Sequence, residues 1–77
     1  MYEKIKCISF SEMEQVQEFV RAATGCDFEI DIKYNSCLID AKSLLGVMNI
    51  GLKNKIKVCY GGANENFEKV VAKLAVA

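Results

Sequence analysis

The chain contains no histidine and no proline, and its ten basic residues are cancelled by ten acidic ones. Each absence removes a class of reading. Without histidine, the four cysteines (Cys7, Cys26, Cys37, Cys59) have no partner to complete a mixed zinc site, and none of them forms a Cys-x-x-Cys pair. Without a positive excess there is no electrostatic case for nucleic acid or an anionic membrane. Apolar runs stop at four or five residues, so no transmembrane or signal pattern appears and the expected location is cytoplasmic. Missing proline leaves glycines and capping residues as the punctuation. Nor is there an internal repeat or a low-complexity segment. What remains is a chain of 77 residues, 52% hydrophobic and 26% charged, enough for one globular domain over residues 1–77 but not for two.

Cys7, Cys37 and Cys59 fall in strand-like runs, where a small apolar side chain fits, so reduced structural thiols are expected. Cys26, after Gly25 in a turn, is the one expected to be exposed and oxidisable. Tyr2 to Ser9 alternates loosely and favours a first strand. Ser11 and Glu14 fit a capping box, with Phe10 before it, and Met13, Val16, Phe19, Val20 and Ala23 then share one helical face up to Gly25. Phe28, Ile30 and Ile32 alternate with Glu29, Asp31 and Lys33, the clearest strand in the chain. Tyr34-Asn35-Ser36 turns it into a second strand, Cys37 to Ala41. Lys55 to Tyr60 alternates again. Asn64 can cap a final helix whose face is Phe67, Val70, Val71, Leu74 and Ala75.

Ser43 to Ile50 reads as a short helix, capped by Ser43 and stopped near Gly51. On its wheel Leu44, Leu45, Met48 and Leu52 share an arc while Val47 and Ile50 lie away from it, too wide a spread for one core-facing stripe. Some of these side chains should face water, and an exposed apolar helix is a docking surface. The element order is strand, helix, strand, strand, helix, strand, helix. Four half-polar strands and three amphipathic helices satisfy each other's burial if the helices cover one side of an antiparallel sheet, an open-faced α+β sandwich.

Lys42-Ser43-Leu44-Leu45-Gly46-Val47-Met48, followed by Gly51-Leu52, resembles the regulatory-serine segment of HPr, the small phosphocarrier of the bacterial sugar phosphotransferase system. The likeness extends through Phe19-Val20-Arg21-Ala22-Ala23, the Glu29 to Ala41 hairpin and the closing helix. It implies a βαββαβα fold with sheet order 1-4-2-3, which periodicity could not choose. In HPr proteins the phosphate rides on a histidine in a His-x-Arg-Pro arrangement at the start of the first helix. Here Glu12 stands at the histidine position, Glu14 at the arginine and Gln15 at the proline, so histidine phosphoryl transfer is ruled out and a second acid replaces the balancing cation.

Two acids in the first turn of a helix have a plain role, each complementing the helix dipole by about 0.3–1 kcal/mol. Glu12 could also mimic the charge of a phosphorylated state. Ser43 is a helix cap in its own right, worth about 1 kcal/mol. The resemblance further implies that Ser43 is a regulatory phosphorylation site, and that Lys42, Leu44, Leu45 and Met48 bind a protein partner: a serine kinase, a transcriptional regulator or a phosphotransferase-system component. HPr-like regulatory proteins that keep the serine and lack the histidine are the type this chain is most similar to. The expectation is therefore a regulatory or adaptor protein, not an enzyme, needing neither metal nor cofactor. Two alternatives stay open: a phosphoryl carrier using Glu12, and a diverged domain of this fold with an unrelated ligand. The oligomeric state is not readable from the sequence.

Overall fold

The computed structural model describes residues 3–76. Its elements run β1 (Lys4–Ile8), α1 (Met13–Thr24), β2 (Ile30–Tyr34), β3 (Cys37–Asp40), α2 (Leu44–Met48), β4 (Ile56–Tyr60) and α3 (Glu65–Leu74). The strands form one antiparallel sheet in the order β1-β4-β2-β3. The fold is thus the α+β βαββαβα layout that the resemblance implies. The start of the first strand at Tyr2 lies outside the described residues.

Strand register explains why the helices gather on one side. Ile32 pairs with both Ile39 and Val58, Ile30 with Tyr60, and Ile8 with Ile56, so one face carries a continuous apolar layer. Val16, Phe19, Val20 and Ala23 of α1, Val47 of α2, and Phe67, Val70, Val71 and Leu74 of α3 join that layer in a single core. Five rings link its parts: Phe10 meets Phe19 edge-on at 5.5 Å, Phe19 meets Phe67 at 5.6 Å, and Phe67 meets Tyr60 edge-on at 5.1 Å. Phe28 then stacks on Tyr60 at 6.1 Å. A Cβ on Gly62 would enter the Phe28 ring, so only glycine lets that ring lie against the chain.

On β1 the inward side carries Lys4 and Lys6 as well as Ile8, since they pair with Tyr60, Val58 and Ile56. Lys4 is accommodated: its ammonium donates to Gly62 O at 3.1 Å and to Glu68 Oε2 at 3.2 Å, and lies 5.4 Å from the centre of the Tyr60 ring. The Tyr60 hydroxyl donates to the same carboxylate oxygen at 2.8 Å. Burial, reinforced by that hydrogen bond and the charge of Glu68, raises the Tyr60 pKa well above its usual value. For Glu68 burial acts to raise the pKa, but the hydrogen bonds from Tyr60 and Lys4 outweigh it and the net direction is down.

Three expectations need correction. The cap of α1 falls one residue later: Glu12 is the N-cap, and Gln15 Oε1, rather than Glu14, accepts from Ser11 N at 2.7 Å and Glu12 N at 3.4 Å. Phe10 is buried and its carbonyl accepts from Lys53 N at 2.6 Å, so the chain is fixed there before the helix begins. Strand β2 begins at Ile30 rather than Phe28, whose ring is taken up by Tyr60. Cys26 is not exposed; it is 5% accessible, with its thiol donating to Ala22 O at 3.5 Å. Burial raises its pKa against the opposing charge of Lys42, and the exposed thiol is Cys37.

Candidate protein-docking site

A helix of five residues does not persist alone, and α2 is held by bonds at both ends. Asp40 Oδ1 accepts from Lys42 N at 2.9 Å and Asp40 O from Ser43 N at 3.0 Å, turning the chain out of β3. Ser43 is the extended N-cap, its Oγ accepting from Gly46 N at 3.3 Å and its carbonyl from Val47 N at 3.0 Å. Ile50 N and Gly51 N close the last turn onto Val47 O and Met48 O, each at 3.1 Å, and Gly51 leaves with a φ of 88°. Asn54 Nδ2 then covers Ile50 O at 2.9 Å. The helix is shorter than the expected Ser43 to Ile50 because these final bonds tighten the turn.

Gly46 sets how near α2 lies to the sheet. A Cβ there would sit 3.0 Å from Ile39 Cγ2 and 3.2 Å from Ser43 Oγ. With the backbone so close, Val47 and Ile50 are the residues that reach the core. The wheel's wide spread is resolved accordingly: Leu44 is 41% and Leu45 75% exposed, while Met48 is half-buried against the core. Fully burying a leucine is worth about 1.5–3 kcal/mol, so Leu45 keeps most of that stabilisation unrealised.

The other site residues divide in two groups. Lys42 stands beside Ser43, but its ammonium donates to Cys26 O at 3.0 Å, tying the approach to α2 to the end of α1. Glu12 and Glu14 are exposed on the first turn of α1. Among the described residues no cation forms a salt bridge with either acid. Two acids in that position match the helix dipole, and they offer an incoming phosphoryl group no counter-charge.

No family model and no curated protein matches this chain. A role for α2 therefore rests on its own geometry. Among the described residues no three His, Cys, Asp or Glu side chains converge on a metal position, all four cysteines are free thiols, and no helix is long and apolar enough to cross a membrane.

Several groups escaped the sequence reading. Gln15 gave a signal, a glutamine three residues after a possible cap, that the competing Ser11 and Glu14 spacing obscured. The Lys4, Tyr60 and Glu68 cluster joins residues 64 positions apart and left no local trace. Gly46 was visible within its motif, but its closeness to Ile39 was not.

Proposed function

We propose that this chain is an HPr-like regulatory or adaptor protein that docks a protein partner on the exposed side of α2, with Ser43 as its phosphorylated switch residue. The carrying observation is the placement of an exposed serine hydroxyl immediately before two exposed leucines, Leu44 and Leu45, on a helix fixed at both ends. The sheet order β1-β4-β2-β3 agrees with what the sequence resemblance implies. A phosphate on Ser43 adds roughly −1.5 to −2 charge beside the leucines. The partner that fits has an apolar recess for Leu45 and a basic group for the phosphate. Relay through phosphohistidine is excluded by composition.

A phosphoryl carrier built on Glu12 is the competing reading. It is disfavoured by the lack of a salt-bridging cation at Glu12 among the described residues and by the second acid, Glu14, close by.

The test is to incubate the protein with an HPr serine kinase and ATP, and separately with the phosphodonor enzyme of the sugar system, and to locate added mass by peptide mapping. Mass on Ser43, absent in Ser43→Ala, supports the proposal. Mass on Glu12 overturns it in favour of a carrier. No mass in either reaction leaves the diverged-domain reading in its place.

A further inference from the structure

We infer that the open face of the sheet, opposite the helices, carries a binding site for a small phosphate-bearing anion, built on Lys33 and Lys57 with Lys55 and Asn35. This inference is independent of the role given to α2.

Register groups the charges of that face by sign. One row across the strands reads Ile5, Cys59, Asp31, Asp40 and the next reads Cys7, Lys57, Lys33, Leu38. Lys33 and Lys57 are thus directly opposite neighbours, an arrangement that destabilises a sheet. With equal numbers of acids and bases, opposite charges could have been paired across the strands. Neither Lys33 nor Lys57 forms a salt bridge among the described residues. Both side chains are exposed, so solvent screens part of the repulsion, and a bound anion would remove more of it.

The surface beside the pair is concave. Lys33, Tyr34, Asn35, Lys55 and Lys57 line a hollow of ≈ 290 Å³, and none of the five is acidic. That volume is at the lower limit of small-molecule sites. Asn35 adopts a left-handed φ of 56° in the tight turn between β2 and β3 and lines one end of the hollow, while the Tyr34 side chain packs against the core on the other face. Three lysines and no acid around one hollow favour a multiply charged anion over a single carboxylate, and lysine acts on phosphate as a point charge. The chain's single arginine, Arg21, belongs to α1. Asp31 and Asp40 lie in the adjoining row and repel a longer polyanion or an anionic membrane, so the ligand is small.

The experiment is a titration of isotope-labelled protein with inorganic pyrophosphate at constant ionic strength, followed by backbone amide shifts. Acetate and phosphatidylglycerol vesicles serve as separate arms. The expected result is saturable shifts confined to residues 33–38 and 55–59, weakened about tenfold or more in Lys33→Gln and in Lys57→Gln, the loss of one charged hydrogen bond. Lys33→Arg and Lys69→Gln should bind as the parent does. Without ligand, Lys57→Gln should unfold at a higher urea concentration than the parent, because the like-charge contact is gone. Absence of saturable shifts at millimolar pyrophosphate, equal binding by both glutamine variants, or binding to vesicles alone would each overturn the inference.

Discussion

Replacing Tyr60 with phenylalanine removes one oxygen from the centre of the fold and leaves the ring with its neighbours Phe28 and Phe67. The lost contact is the 2.8 Å bond to Glu68 Oε2. Hydrogen bonds to charged groups contribute about 1.5–3 kcal/mol. Glu68 keeps Lys4 at 3.2 Å and its side chain is 37% exposed, so the lower limit applies, about 1.5 kcal/mol. At about 4–8 °C per kcal/mol for a chain this short, the melting temperature at pH 7 should fall by about 6–12 °C. The loss should also depend on pH. Because the folded state lowers the Glu68 pKa below its usual 4.5, the stability contributed by its carboxylate is present above that value and is lost as pH falls through the folded value. The gap between parent and Tyr60→Phe should therefore narrow in acid. Urea unfolding at pH 7 and at pH 3, followed by circular dichroism, measures both terms. A variant as stable as the parent at pH 7, or a gap of constant size at both pH values, would refute the assignment of the Tyr60, Glu68 and Lys4 cluster as a stabilising network.

On α2, Val47→Ala should cost about 2 kcal/mol from two lost methyl groups and the space they leave, while Leu45→Ala should alter stability by less than about 0.5 kcal/mol; urea midpoints separate the two. Gly62→Ala should lower the urea midpoint markedly, since the added methyl meets the Phe28 ring, and a second change of Phe28 to leucine should recover part of the loss. Ser43→Ala should cost about 1 kcal/mol through the lost cap and Ser43→Asp only a few tenths, because aspartate caps equally well. With a thiol reagent in native buffer, Cys37 should react first and Cys26 and Cys59 only on unfolding, as the exposures require.

The order of elements was legible in the sequence because burial imposes its period locally. Ile30, Asp31, Ile32 and Lys33 alternate strictly, and Phe67, Val70, Val71 and Leu74 recur as one helical face. The spread of apolar residues from Leu44 to Leu52 likewise indicated that α2 could not bury them all. Sheet order was not legible from periodicity. It came from the likeness of the Ser43 segment to HPr, and the strand pairing agrees with it.

What the tertiary structure alone decided is which residues far apart in the chain meet. Nothing near Cys26 indicates that the Lys42 ammonium reaches its carbonyl, nothing near Lys4 indicates Glu68, and alternation places Lys33 and Lys57 on strand faces without making them neighbours. Composition did settle one chemical matter, since a chain with no imidazole cannot hold phosphate on one. The physical reason for the division is range. Hydrophobic period, caps and turn residues act over a few positions, whereas register and contact between elements are fixed only when the whole core closes.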